Sequence, residues 1–213
     1  MAVATSTGLL SFYHLSAADG VLAHVRTKRI CDASTLVLSL CWHPSRADVL
    51  GVTLSTGEVC ICQSTTGGDD KKLWTGDTEL SLTVVHQHSL EAWMVAFTSS
   101  PSQAEDVLSG GDDQGLYRSS ISNAGDNDRF ASTQLWQDHR IHKAGVTAIL
   151  PLSQDLILTG SYDDHLRLLS APSIGRRRVL AEANLGGGVW RLKLLNAAAS
   201  VLSDTNGYVP PCS

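Results

Sequence analysis

No stretch of this chain carries a sustained 3.6-residue hydrophobic period, which excludes a helical bundle. Nor does any apolar run reach the roughly 18 residues of a membrane-spanning helix; the most apolar stretch, Thr35 to Trp42, has the length of a strand. Met1-Ala2-Val3-Ala4 carries neither a basic segment nor a long apolar region, so a secretory signal is not expected. Charged residues make up only 17% of the 213, and a net charge of −5 argues against a general nucleic-acid binder, which would be basic. The five cysteines are odd in number and irregularly spaced, which points to free thiols in a reducing compartment rather than a disulfide framework. Cys60 and Cys62 fall on one strand face, without the spacing of a zinc ribbon or finger. His86-x-His88 and His139-x-x-His142 lack a matched carboxylate motif, so no metal site is expected. There is no G-x-S-x-G word, which excludes the nucleophile elbow of the α/β-hydrolases.

What the chain does have is an internal repeat. Val3-Ala4-Thr5-Ser6-Thr7-Gly8 returns as Val52-Thr53-Leu54-Ser55-Thr56-Gly57, and Leu108-Ser109-Gly110-Gly111-Asp112-Asp113 as Leu158-Thr159-Gly160-Ser161-Tyr162-Asp163. The offsets are about 50 residues, the length of a propeller unit. Each copy reads as a short apolar strand, a Gly/Ser/Asp turn and a second strand: Leu9–Leu15, Glu58–Cys62, Leu116–Ser119 and Leu166–Leu169. A further strand precedes each later copy, at Val37–Trp42, Trp93–Phe97 and Val146–Leu150, and Val189–Leu195 begins another unit.

Short strands punctuated by turns make the chain all-β, and a unit of this length makes it a β-propeller of the WD-repeat kind. In such repeats a His, a Ser/Thr and an Asp hydrogen-bond through the blade to a Trp on the third strand, which satisfies buried polar groups. His142, Ser161 and Asp163 occupy these places, with His88, Gly111 and Asp113 one unit earlier; the Trp position reads Tyr13, Cys62, Ser119 and Leu169, so the repeats are degenerate. The expected organisation is one domain over 1–213: a partial blade 1–18, blades 19–67, 68–127 and 128–172, and a partial blade 173–213. Gly67–Lys72 and Ser122–Asp128 read as exposed loops, and Arg176-Arg177-Arg178 as a solvated loop between blades.

Five words stand in order: His88-Ser89-Leu90-Glu91-Ala92-Trp93; Ser109-Gly110-Gly111-Asp112-Asp113; His142-Lys143-Ala144-Gly145-Val146; Thr159-Gly160-Ser161-Tyr162-Asp163-Asp164-His165; and Gly186-Gly187-Gly188-Val189-Trp190-Arg191. In order and spacing they resemble the WD-repeat diphthine methylesterases of the diphthamide pathway, over about Val3 to Leu195. The resemblance implies a carboxylic ester hydrolase that cleaves the methyl ester of methylated diphthine, on one histidine of translation elongation factor 2, in the cytoplasm. It implies no redox or nucleotide cofactor, no membrane or nucleic-acid partner, and contact with other diphthamide-pathway proteins. The family closes its ring with seven blades, roughly 300 residues at this repeat length, so this chain is expected to be an incomplete copy. Asn196 to Ser213 do not match. The alternative is a non-catalytic WD-repeat scaffold that binds other proteins.

Ester hydrolysis needs a nucleophile or activated water, a base, and donors for the oxyanion. The substrate implied by the resemblance carries a trimethylammonium group beside the ester, which calls for aromatic faces. Trp93 and Trp190 open inner strands near one face of the propeller, so the expected substrate-binding residues are Trp93, Trp190, Glu91, Arg191, Tyr162, Gly187 and Gly188, with His88 and His142 nearby. Both Trp residues also suit packing between blades, and both His residues suit the blade network. Asp112, Tyr162 and His165 stand out because the repeat does not require them. The expected catalytic residues are His165, Asp112 and His142. Asp113 and Asp163 are expected to cap their own turns. Gly186-Gly187-Gly188 offers backbone N–H groups to an oxyanion or serves only as a loop into the strand.

Overall fold

In a computed structural model, the described residues are 1–65, 74–75, 79–98, 105–123 and 130–195. The loop expected over Gly67–Lys72, most of that over Ser122–Asp128, and the segment after Leu195 lie outside them. Fifteen strands are found among these residues: β1 (Ala2–Ala4), β2 (Leu9–Leu15), β3 (Leu22–Arg29), β4 (Val37–Trp42), β5 (Val49–Leu54), β6 (Glu58–Thr65), β7 (Glu79–Gln87), β8 (Ala92–Thr98), β9 (Glu105–Gly111), β10 (Leu116–Asn123), β11 (Phe130–Asp138), β12 (Val146–Pro151), β13 (Leu156–Ser161), β14 (His165–Ser170) and β15 (Arg178–Asn184). They form four antiparallel meanders, β1-β2-β3, β4-β5-β6-β7, β8-β9-β10-β11 and β12-β13-β14-β15. The first strands of the later sheets, β4, β8 and β12, touch one another in turn, so the sheets stand as blades around an axis. The chain is an incomplete β-propeller, three four-stranded blades preceded by a three-stranded one.

Strand alternation explains the stacking. In β5 every residue is buried, because both faces are covered. Val49 faces the third blade with Val95, Phe97 and Val107, and Leu50, Val52 and Leu54 face the first with Leu10 and Phe12. A third core joins Ala96, Leu108, Leu116 and Trp136 of the third blade to Val146, Ile149, Ile157 and Leu169 of the fourth. Cys60 and Cys62 are buried in the core between the first two blades.

The repeat is visible in backbone geometry. The turns after β1, β5, β9 and β13 each hold one left-handed residue: Gly8 (φ 71°), Gly57 (φ 87°), Gln114 (φ 64°) and Asp164 (φ 68°). Each later inner strand carries a bulge at its second residue, Leu38, Trp93 and Thr147, where the register skips from Val37 to Ser39, Ala92 to Met94 and Val146 to Ala148.

Two details differ from the sequence reading. The units at 19–67, 68–127 and 128–172 each start with the outer strand of one sheet and continue into the next, since β3 pairs with β2, β7 with β6 and β11 with β10. Sequence units and blades are therefore out of phase by one strand. Val189–Leu195 forms no ladder, because no further described strand lies beside it to pair with. It nevertheless seats as an inner strand does: Val189 packs on Gly160 as Val146 packs on Gly110, and its N–H donates to the Ser161 carbonyl at 3.1 Å.

Candidate functional site

The registers Ala92↔Gly111 and Val146↔Ser161 place the starts of the inner strands beside the turns at Asp112-Asp113 and Tyr162-Asp163. All the residues singled out above therefore lie toward one end of the propeller. At that end three aromatic rings meet. The ring centroids of Trp93 and Tyr162 are 6.4 Å apart at 81°, those of Trp93 and Trp190 6.1 Å at 78°, and those of Tyr162 and Trp190 4.9 Å at 86°. Trp93 and Tyr162 are half-buried and Trp190 is 56% exposed, so the trio opens to solvent.

Repeat geometry builds this recess. Trp93 is the bulged residue of β8, and a bulge re-aims the side chain it carries. Trp190 follows Val189 as Trp93 follows Ala92, and Tyr162 stands in its turn where Asp112 stands one blade earlier. Asp112 accepts a hydrogen bond from the Trp93 indole N–H at 3.2 Å, and its own N–H donates to the Glu91 carbonyl at 2.8 Å. Gly145 lies between Asp112 and Tyr162: a Cβ there would stand 2.7 Å from Asp112 Oδ1 and 3.2 Å from the Tyr162 ring. Burial raises the Tyr162 hydroxyl pKa, and the nearby Asp112 charge raises it further. A Cβ on Gly188 would meet the same ring at 3.1 Å.

The other expected residues are placed differently. His142 is buried, with Nε2 2.9 Å from the Thr159 hydroxyl, and burial together with the Arg167 charge pushes its imidazole down to about 4. His165 keeps Nδ1 2.5 Å from the Asp163 carbonyl and Nε2 3.5 Å from Asn184. The Gly186 N–H is engaged by the Asn184 side chain at 2.8 Å, Gly187 is exposed, and Arg191 is exposed beside Trp190. Asp113 accepts from the amides of Ser89 and Gly115, and Asp163 from those of Lys143 and His165.

The blade network is shifted from its expected members. The hydroxyls facing His88 and His142 belong to Ser109 and Thr159, two residues before Gly111 and Ser161. Alternation puts both positions of a strand on one face, and the earlier one lies deeper in the blade. Gly111 has no room for a side chain, since a Cβ would sit 2.5 Å from His88 Nδ1. In the third blade the network runs further than the sequence suggested. His88 Nδ1 lies 2.8 Å from Asp113, His88 Nε2 2.8 Å from Ser109, Ser109 2.6 Å from His86 Nδ1, and His86 Nε2 2.8 Å from Ser119. A carboxylate only accepts, so the arrangement that satisfies every atom has each group donating toward Asp113. His86 takes the space between Ser109 and Ser119, and the only sequence signal for it was an alternation, His86-x-His88, that aims both rings at one face.

At the opposite end, a cavity of about 430 Å³ is lined by Trp42, His43, Pro44, Ser45, Arg46 and Ala47. His43 there reaches Glu105 of the next blade at 3.2 Å, a link between blades. Among the described residues no three of His, Cys, Asp and Glu gather to hold a metal ion.

No family model matches the chain. It is similar to a protein of Schizosaccharomyces pombe named diphthine methyltransferase, 34% identical over 196 residues, which are 91% of this chain and 52% of that protein. The human protein of the same name is 32% identical over 163 residues, 74% of this chain and 32% of its own length. A Dictyostelium discoideum homolog of that name is 28% identical over 91% of this chain and 51% of its length. These names correct the expected activity: a methyltransferase is a transferase, so carboxylic ester hydrolysis and the methylesterase assignment do not stand. His142 is sealed in its blade, His165 holds Nδ1 against the Asp163 backbone carbonyl with the Asp163 and Glu182 carboxylates at 3.6 and 4.0 Å, and Asp112 holds an indole N–H. The scaffold alternative gains nothing from the names. The chain is thus similar over nine-tenths of its length to proteins named for diphthine methyl transfer, and spans about half the length of the fission-yeast and Dictyostelium relatives.

Proposed function

We propose that this chain takes part in diphthamide biosynthesis, at the methyl-transfer step for which its relatives are named, and that it contributes a degenerate WD-repeat propeller face that receives the diphthine-bearing segment of translation elongation factor 2. The observation that carries this reading is the similarity to the fission-yeast protein, which runs through the residues of the aromatic recess. The geometry agrees with it. Recognition of a modified side chain on another protein needs an open concave surface with a few fixed polar groups, and Trp93, Tyr162, Trp190 and Asp112 supply one at an accessible end of the blades.

The experiment is a binding comparison. Elongation factor 2 carrying methylated diphthine and the same factor with its unmodified histidine are titrated against the purified chain. Tighter binding of the diphthine form by tenfold or more is expected. Equal binding of the two forms, or of neither, overturns the reading.

A further inference from the structure

The run Arg176-Arg177-Arg178, expected in a solvated loop, divides in the structure. Arg177 turns inward: its guanidinium lies over the Trp136 ring at 5.1 Å and reaches Asp138 at 3.3 Å. Arg176 and Arg178 are exposed, and neither has a partner among the described residues. Arg140, its side chain 85% exposed, reaches the same Asp138 oxygen at 3.6 Å. The carboxylates of Asp106 and Asp155 face the buried Arg118 instead, at 2.6 and 3.8 Å. So this stretch of the rim carries four guanidiniums, two sharing one carboxylate oxygen and two with no counter-charge among the described residues. The basic strand β3 differs, because Arg26 and Arg29 there donate to the Thr75 and Thr7 carbonyls at 2.7 and 2.8 Å.

The loop that carries the run is held in place. Arg118 donates to the Ala171 carbonyl, the Trp136 indole N–H to the Pro172 carbonyl at 2.9 Å, and Ser173 to Asp106 at 2.9 Å. With Arg177 clamped on the far side, the loop cannot fold Ile174 back onto the blade, and Ile174 is 90% exposed. A fixed loop loses little entropy when a partner binds it. Guanidiniums match carboxylates in geometry as well as charge. The chain as a whole carries −5, which repels a long polyanion but not a short segment inside one Debye length, ~10 Å. We propose that Ile174, Arg176 and Arg178, with Arg140 across Asp138 from Arg177, form a docking surface for a short acidic segment of a partner protein. Its carboxylates sit on the arginines and an apolar side chain sits on Ile174. This inference does not rest on the diphthine reading, and its test uses no elongation factor.

The test titrates the 213-residue chain with a capped peptide of four glutamates around one leucine, followed by NMR at the Trp136 indole N–H and the amides of residues 173–178. The controls are the same peptide with glutamines for glutamates, and a single-stranded DNA oligomer. Saturable shifts confined to these signals are expected, weakening about tenfold between roughly 50 and 300 mM salt. The glutamine peptide should bind at least tenfold more weakly. One exposed ion pair is worth only a few-fold, so the double variant Arg176→Glu, Arg178→Glu is used, and it should weaken binding tenfold or more. Ile174→Ser should weaken it about threefold. All three positions are exposed, so urea midpoints should stay unchanged and show that the fold is intact. Absence of saturation, equal binding of the glutamine peptide, or undiminished binding by either variant overturns the surface. DNA that binds as tightly as the peptide, and equally to Ile174→Ser, overturns it as well, because the loop would then be a general polyanion site.

Discussion

At the scale of single residues, the buried histidines govern how the fold responds to acid. Burial, with the neighbouring His88, pushes His86 down to about 3; burial, with the Arg167 charge, pushes His142 down to about 4. Both rings are neutral in the fold, whereas in the unfolded chain they protonate near 6.5. Below that pH the unfolded state therefore binds more protons than the native one. Stability is complete above about pH 6.5 and falls as the pH drops toward 4, at up to ~1.4 kcal/mol per pH unit for each ring. The carboxylates act later. Burial alone would raise Asp113, but the His88 hydrogen bond and charge, with the Ser89 and Gly115 amides, more than offset it and hold it well below the usual range. That stabilisation is present above the ordinary carboxylate value of about 3.9 and is lost only below it. Urea midpoints measured from pH 7 to 4.5 should fall steadily, and His142→Gln should remove one ring's share of the slope. An unchanged slope in the variant would show that His142 titrates normally. Some of this was legible in the sequence: Asp113 and Asp163 cap their turns as their positions implied, and Trp93, Tyr162 and Trp190 do meet. The hydroxyl partners were misplaced by two residues because alternation alone does not say how deep in a blade a residue lies. His165 does lie beside a carboxylate, Asp163 at 3.6 Å, while its Nδ1 is engaged by the backbone carbonyl of that same residue.

At the scale of elements, strands with one or two buried faces were legible and those with none were not. β4, β5, β8 and β12 announced themselves by apolar runs, since core lies on both sides of them. The outer strands β3 and β15 are exposed nearly throughout, β11 exposes five of nine residues and β7 four of nine, and β15 has no buried residue at all, so no regular alternation marks them. Missing them shifted the blade limits by one strand. Close approach between blades is fixed at two equivalent glycines, Gly110 against Val146 and Gly160 against Val189, where an added Cβ would stand 2.6 Å from the Val146 carbonyl oxygen and 2.4 Å from the Val189 side chain. Neither contact involves the flexible end of a long side chain, so neither yields cheaply. Gly110→Ala should destabilise the chain by about 1–3 kcal/mol, the range for overpacking a well-filled interior. Gly160→Ala should instead lift Val189, which no described strand pairs with, at a smaller loss of stability. Chemical denaturation of both variants separates the two outcomes. Equal stability losses would show that Val189 is held as firmly as Val146.

At the scale of the whole molecule, stability is distributed by neighbours, as in any array whose units contact only the adjacent ones. The second and third blades are covered on both sides, and the six residues of β5 are all buried between flanking blades. The fourth blade is fastened to the third by the core around Leu108 and Ile157, and by the buried Arg118, which pairs with Asp106 at 2.6 Å and donates to the Ala171 carbonyl. Ser173 donates to the same carboxylate at 2.9 Å. Removing either partner of this pair would strand a buried charge, so the link holds only while both are present. Past β14 the Trp136 indole N–H donates to the Pro172 carbonyl at 2.9 Å and Arg177 pairs with Asp138 at 3.3 Å, whereas β15 itself is exposed along its whole length, as is most of β3 at the other side of the arc. Local opening follows burial and contact density, so amides of β15 and β3 should exchange with solvent fastest, β2 and β14 more slowly, and β5 and β9 only on global unfolding. Hydrogen exchange followed by mass spectrometry of the peptic fragments measures that order directly. Exchange in β15 as slow as in β5 would overturn that order.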